Sequence, residues 1–520
     1  MMRCLLLLGL LPAFLALVAC KASSKAIGYD TAVGIDPDGD YTGDDDDSST
    51  GEIEDDFLTL PPAQTDVYVF VANPSRNTVS RINVETLEVR TTEVGVDPDI
   101  VITTPDYRSA AVFNRGDDTV SLIEASTLNV ITVPIRDNLN SMRMSPDGMF
   151  VALWHDIDAE EDDDPPADGL QSFNEASFVN VITGDHWPMA VTYNPRDVVF
   201  TPDGETAAVV SDEYLSIIDL TTEPILPDLI ELDPTLLDAP RAEEVILSHD
   251  AQWAFVRQLG AQDILVVDLL THVVSRIPVG QNPTDLDLSP DGNEAVVLAR
   301  GSQEIWVLDA EDPFLPAVIH GVPGGYGFGS LVFDPTGENV VLYTNAALID
   351  RYATWNRNND DITVRSLVKP VAGMAITPTG ETMLAFHTLG DAPGADPDGP
   401  FFEEWALTMI SLVDFRTNPL KLPAKPNGFS NSTNGNFGYF IMEEVPFLEV
   451  MDYTTLLHDE YELKSNPVHV GVLPDLQPND GVEPMTWVNQ DHDLGRLSFF
   501  DSDAKSLETI TGFELNAGVE

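Results

Sequence analysis

Nine histidines and several runs of carboxylates are the groups in this 520-residue chain with most chemistry to offer. The histidines (His155, His186, His249, His272, His320, His387, His458, His469 and His492) are dispersed. None forms the i, i+4 pair that holds a metal on a helix, and no nucleophile elbow is present. His155, followed by Asp156, and His387 each close an apolar run. The expected role of each is a strand-end imidazole bonded to a loop. The sharper alternative is that they converge over a common centre and hold a metal. The carboxylate runs are Asp158-Ala159-Glu160-Glu161-Asp162-Asp163-Asp164 and the group Asp391, Asp396, Asp398. Asp36, Asp38, Asp40, Asp44 and Asp47 fall at positions 1, 3, 5, 9 and 12 of a calcium-loop spacing. Tyr41 stands where that loop needs glycine, and no helices flank it, so calcium is the one cofactor the spacing admits and a disordered acidic segment is the expected reading. Arg351-Tyr352-Ala353-Thr354-Trp355-Asn356-Arg357 is aromatic and basic in an otherwise acidic chain. Trp, Tyr and Arg concentrate at interface hot spots. Arg351, Tyr352, Trp355 and Arg357, with Asp162, Asp163 and Asp164, are therefore the candidate binding face; solvated surface charge is the plainer reading. No catalytic residue and no metal ligand is assigned, and Gly324-Gly325-Tyr326-Gly327-Phe328-Gly329 precedes no helix that would make it a phosphate cradle.

The charge balance removes one class of partner. There are 87 acidic and 25 basic residues, a net charge of −62, and only seven of the basic residues are Lys. A phosphate backbone demands a basic face, so nucleic acid is not an expected partner. Such a surface suits salt water, where screening removes self-repulsion.

The N-terminus reads as a targeting segment. Met1-Met2-Arg3 carries charge, Leu5 to Val18 is apolar, and the stretch is too short for an ordinary spanning helix. It ends Leu17-Val18-Ala19-Cys20, which resembles the lipobox of bacterial lipoproteins. The resemblance implies cleavage between Ala19 and Cys20 and lipidation of Cys20. The other cysteine, Cys4, lies in the removed segment, which leaves no disulfide, no cysteine-ligated metal and no cysteine nucleophile in a folded domain. Lys21 after the lipidated Cys implies the outer membrane of a Gram-negative envelope, on its periplasmic side or at the cell surface. The expected organisation is a signal peptide at 1–19, an acidic disordered tether at 20–66 starting at Cys20, and a folded domain at 67–520. The tether is too charged to bury a core.

The elements that must position these groups are strands joined by a recurring corner. Ser145-Pro146-Asp147-Gly148 returns as Thr201-Pro202-Asp203-Gly204 and Ser289-Pro290-Asp291-Gly292, and more loosely as Asp334-Pro335-Thr336-Gly337 and Thr377-Pro378-Thr379-Gly380. Pro pre-sets φ, Asp bonds back to the backbone, and Gly takes the positive φ that ends the reversal. Between corners the chain carries four short strands in roughly 42 residues, the size of a propeller blade. The expected fold is all-β, a β-propeller of four-stranded blades.

Val71-Ala72-Asn73, Ile277-Pro278-Val279-Gly280-Gln281-Asn282-Pro283 and the corners resemble the YVTN-type propeller repeat of envelope proteins, including lactonase-like and amine-dehydrogenase-like propellers. The family's usual ring has seven blades. Corners near residues 106, 147, 203, 250, 291, 336, 379, 434 and 480, with one further unit before them, exceed that number. The expected ring thus has seven or more blades and is either enlarged or accompanied by accessory sheet. The first unit lacks a visible innermost strand, and a C-terminal strand is expected to complete it.

In such a blade the a–b and c–d turns share one face of the disc, and the b–c and d–a connections share the other. The insertions at 156–173, 233–241, 350–361 and 389–404 are expected on the second face, where loops on a rigid scaffold carry function. The favoured function is a lipid-anchored, non-catalytic envelope scaffold that binds an envelope protein, polysaccharide or small ligand. The alternative is a lactonase-like hydrolase or amine-dehydrogenase-like oxidoreductase with its site at the channel mouth.

Overall fold

Runs such as Trp253–Gln258 (WAFVRQ) are apolar at successive positions, not at alternate ones, because both faces of the strand are buried. Trp253 and Phe255 pack on one side with Leu286 and Val297; Ala254 and Val256 pack on the other with Val210 and Leu215. A sheet clamped between two like sheets is a propeller blade.

The computed structural model describes residues 62–157, 173–233, 241–258, 260–476, 482–492 and 494–513. Ala19, Cys20, the calcium-spaced aspartates Asp36, Asp38, Asp40, Asp44 and Asp47, and Asp162, Asp163 and Asp164 lie outside the described residues. Ten four-stranded antiparallel sheets follow one another along the chain, each taking its strands in sequence order. They form blades 1 to 10, at 63–93, 98–134, 141–190, 195–231, 242–278, 283–321, 330–366, 371–421, 426–462 and 467–511. Within each blade the strands are a to d, from the centre outward. No helix among the described residues is long and apolar enough to cross a membrane.

Ten apolar clusters alternate with the ten sheets, one between each blade and the next. The last joins blade 10 to blade 1, where Val69 and Ile82 pack with Trp487, Leu497 and Phe499. The ring is therefore closed and enlarged to ten, and among the described residues every strand belongs to one of its ten sheets. Nine corners plus one initial unit counted the blades correctly.

The expectation of a C-terminal closing strand is not met. Blade 1 has its own strand a, Ala63–Gln64, pairing with Val69 and Phe70, and blade 10 keeps all four of its own strands. Two residues sufficed, because side chains do the remaining work. Gln64 Nε2 donates to the Val472 carbonyl at 2.5 Å, Gln64 Oε1 accepts from Trp487 Nε1, and the Gln64 carbonyl accepts from Thr103 Oγ1 at 2.7 Å. One glutamine thus ties blades 10, 1 and 2.

The corners tile one face. Ser145 Oγ donates to Asp147 Oδ1 at 2.6 Å and accepts from the Phe150 N–H at 2.9 Å, and the same pattern recurs at Thr201 and Asp203, Ser248 and Asp250, Ser289 and Asp291, and Ser432 and Asn434. Gly292 has φ +74°, and a Cβ there would meet the His249 ring of the preceding corner at 2.1 Å. Glycine is required for both reasons.

Candidate functional site

The opposite face is built from the ends of strands b and c. In blade 1, Asn73 closes strand b and its Nδ2 donates to Thr78 Oγ1 (3.1 Å) and Ser80 Oγ (2.9 Å). Asn114 does the same to Thr119 and Ser121 in blade 2, and Gln490 reaches Ser498 in blade 10. A buried polar side chain at this point is paired across the sheet, as burial demands.

The two strand-end histidines use this position. His155 Nδ1 bonds the Asn138 carbonyl at 2.8 Å, and its ring lies 5.4 Å from that of Phe173. His387 is fully buried; Nδ1–H donates to the Lys369 carbonyl at 3.0 Å and Nε2 accepts from Thr408 Oγ1 at 2.7 Å. Burial pushes the His387 pKa down to about 4, so the ring is neutral. Both histidines are bonded to loop carbonyls, not to each other.

Lys369, 1% exposed, lies in the connection from blade 7 to blade 8. Its ammonium donates to the carbonyls of Leu389 (2.9 Å) and Glu404 (3.0 Å) and pairs with Asp391 at 3.0 Å. Those three acceptors are the two ends of the b–c insertion of blade 8, so one buried cation pins the whole loop. The segment 389–404 is a b–c connection on this face; 156–173 joins strands b and c of blade 3 and 233–241 joins blade 4 to blade 5, and their described ends, 156–157, 173, 233 and 241, lie on this face.

The segment 350–361 is not an insertion. Arg351–Asn356 is strand c of blade 7, with Tyr352 and Trp355 only 1% and 2% exposed. Tyr352 packs in the core towards blade 8 and Trp355 in the core towards blade 6. Burial raises the Tyr352 pKa to about 12. Arg351 pairs with Asp350 at 2.5 Å, and Arg357 reaches Glu294 of blade 6 and the Gly337 carbonyl. Arg351, Tyr352, Trp355 and Arg357 therefore do not make an exposed recognition patch. Aromatic and basic residues at a blade seam are core and clamp.

The inner strands carry a charged relay that sequence reading missed. Arg143 in blade 3 reaches Asp197 (2.6 Å) and the Val198 carbonyl (2.8 Å) in blade 4. Arg196 in blade 4 reaches the Ala242 carbonyl (2.8 Å) and Glu243 (3.6 Å) in blade 5. Asp285 in blade 6 accepts from the Leu331 N–H of blade 7 at 2.5 Å. At the junction of blades 5 and 6 carboxylate meets carboxylate. Glu244, Asp285 and Asp287 each bring one oxygen within 4.8 Å of the others, and Arg257 Nε bonds Glu244 at 3.0 Å. Three oxygen donors suit a hard cation, while Arg257 and the Leu331 N–H already offset part of the charge. A second such group, Glu449, His458 and Glu460, lies on the outer strands of blade 9, where His458 bonds Glu449 at 3.0 Å. Burial raises the pKa of Glu449. The signal for the relay was present as Pro195-Arg196-Asp197 and Glu243-Glu244, but only the blade register shows which charges face each other.

No family model matches the chain, and no curated protein matches it. Among solved structures, the crystal structure of a eukaryotic initiation factor is similar with a TM-score of 0.52 at 10% identity, covering 77% of this chain and 97% of that one. Dihydro-heme d1 dehydrogenase NirN in complex with DHE gives a TM-score of 0.44 at 13% identity, covering 79% and 76%. The Myceliophteria thermophila Cps50 (Swd1) β-propeller domain gives 0.34 at 14%, covering 62% and 96%. At this identity likeness establishes fold alone, and function must be argued from the site.

Proposed function

We propose that the protein is a lipid-anchored, non-catalytic propeller of the cell envelope that presents its loop face to an envelope protein or polysaccharide, in keeping with the YVTN-type resemblance. Cys20 would carry the lipid, with Lys21 directing it to the outer membrane, and the acidic segment from Cys20 up to the first strand, Ala63–Gln64, would hold the ring off the bilayer, so that the tether is shorter than the 20–66 read from sequence. The observation that carries the binding reading is the Lys369 anchor. The Lys369 ammonium is taken up in holding the blade 8 loop, and the neighbouring His387 ring is taken up by the Lys369 carbonyl and Thr408, so neither is free to move protons for a ligand. A loop fixed from inside by a buried cation presents its outer side chains, among them Asp396 and Asp398, in one geometry, which lowers the entropy cost of binding. The acidic surface argues against nucleic acid as the partner.

The test is affinity capture from envelope extract with the full chain, with a variant in which 391–403 is replaced by a short glycine–serine turn, and with Cys20→Ala. The reading predicts a partner lost with the loop and loss of membrane association with Cys20→Ala. Capture unaffected by the loop replacement would overturn it.

One observation favours the enzyme alternative: Glu244, Asp285, Asp287 and Arg257 bring acid–base and cation-binding groups together on the inner strands. Metal analysis of the purified protein discriminates the two. Stoichiometric metal lost on Asp287→Asn would favour the catalytic reading.

A further inference from the structure

On the corner face, each pair of neighbouring blades leaves a notch between the start of one blade's strand b and the c–d turn of the next. Register makes the notches comparable. Tyr68 pairs with Asn83, Phe150 with Asn180, Trp253 with Asp268 and Glu294 with Asp309, so these four hold one position in blades 1, 3, 5 and 6. Opposite them, the first residue of each c–d turn donates its N–H to its own blade's corner: Ala125 to Arg108, Leu220 to Glu205, Ala310 to Asn293 and Arg357 to Glu338. These hold the facing position in blades 2, 4, 6 and 7.

Three of the notches are filled by the chain itself. Between blades 1 and 2, the Arg81 guanidinium lies 4.2 Å from the Tyr68 ring centroid and donates to the carbonyls of Ala125 (2.6 Å) and Ser126 (2.8 Å). Between blades 5 and 6, Trp253 Nε1 donates to the Glu311 carbonyl at 3.1 Å and Phe314 stands edge-on at 5.6 Å. Between blades 6 and 7, Arg357 reaches back to Glu294 and lies 5.5 Å from the Phe333 ring. Two of the three fillings are therefore arginines seated near an aromatic ring and satisfied by oxygens, which is how a guanidinium tolerates partial burial.

The notch between blades 3 and 4 is open, with a volume of about 360 Å³. Phe150 stands at the Tyr68 position, and Trp187 lies 5.9 Å from it. Leu220 and Thr221, the counterparts of the residues that accept from Arg81, line it as well. Asp147, Asp185, Glu205 and Glu223 are the carboxylates of the lining, and no Lys or Arg is among the described residues that line it. The counterpart of Arg81 is Phe178, since Arg81 pairs with Phe70 as Phe178 pairs with Ala152. Phe178 is spent in the core between blades 3 and 4. The ring and the oxygens are in place without the cation that the notches between blades 1 and 2 and between blades 6 and 7 hold.

We infer that this notch recognises a guanidinium or ammonium side chain on a basic peptide segment of a partner protein. The aromatic floor stabilises the cation face-on and the carboxylates neutralise it. Ile182 and Leu226, each 67% exposed, adjoin Thr183 and Ile225 of the lining and offer apolar shoulders to the residues flanking the cation. The site lies on the face opposite the loops, so it stands or falls separately from the function proposed above.

The test is calorimetric titration of the full chain, in physiological salt, with a short peptide of alternating leucine and arginine and with the same peptide carrying citrulline. Citrulline keeps the shape and removes the charge. The arginine peptide is expected to bind and the citrulline peptide to bind at least about tenfold more weakly. Glu205→Gln with Glu223→Gln, both exposed, should weaken arginine-peptide binding by about tenfold. Asp312→Asn with Glu381→Gln, which removes two exposed carboxylates elsewhere, should leave it unchanged. No binding of the arginine peptide, equal binding of the citrulline peptide, or equal weakening by the control pair would overturn the site.

Discussion

Gln64 accepts a hydrogen bond from the indole of Trp487, 423 residues further along the chain. That bond, with the Gln64 amide on the Val472 carbonyl, is the polar part of the seam between blades 10 and 1. Gln64→Ala leaves the buried Trp487 N–H without its acceptor, at about 1–3 kcal/mol. The urea midpoint should fall, and amides of blades 1 and 10 should exchange faster than those of blade 5. Uniform exchange would show that the seam is not a weak point.

Lys369→Met should destabilise by about 1–3 kcal/mol, because the half-buried Asp391 carboxylate would lose its cation and keep only the Glu403 N–H, and the carbonyls of Leu389 and Glu404 would lose their donor. Limited proteolysis should then cut between residues 390 and 403, where the wild type resists. Lys369→Met with Asp391→Asn should recover part of the midpoint but not the resistance, since the carbonyls of Leu389 and Glu404 still lack their donor.

The neutral His387 sets a pH dependence. Its folded pKa of about 4 lies below the ordinary 6.5, so between these values the unfolded chain binds the extra proton. The stabilisation is present above pH 6.5, declines as pH falls, and is gone below about 4, a loss of about 3 kcal/mol. Many carboxylates titrate in the same range, so the measurement is a difference. His387→Gln should show a shallower fall in stability from pH 7 to 4.5 than the wild type, and parallel curves would refute the assignment.

Corner geometry predicts an asymmetric pair of substitutions. Gly292→Ala forces φ +74° on a residue with a side chain and drives Cβ into the His249 ring, at a cost of about 1–3 kcal/mol. Blade 5 already carries Ala251 at the matching position with φ 55°. Ala251→Gly should shift the urea midpoint by less than about 1 kcal/mol equivalent. Equal effects would mean that corner contacts between blades do not matter.

With a net charge of −62, stability should rise as NaCl is raised to about 2 M, as screening removes self-repulsion. Thermal scans across that range check it, and a flat response would refute it.

The corner was legible because its chemistry is local: Ser or Thr, Asp and Gly each do their work within one turn. The same residues counted the blades, and only the seven-bladed ring usual among the propellers the repeat resembles made the count look excessive. Ala63–Gln64 was not legible, since two paired residues show no period. Arg351–Asn356 was misread as a loop because strand c is buried on both faces, so Tyr352 and Trp355, three apart, belong to different cores and break the alternation that marks a half-buried strand. The relay and the open notch depend on which blade faces which, information that exists only after register is set.

Every sheet in this ring is made from one uninterrupted stretch of chain, including the two that meet at the seam. Duplication or deletion of one repeat unit would therefore add or remove a whole sheet, without orphaning a strand that another part of the gene must supply. A ring built this way can change size in single steps, and new termini placed in any connection between blades would leave all ten hydrogen-bonded sheets intact.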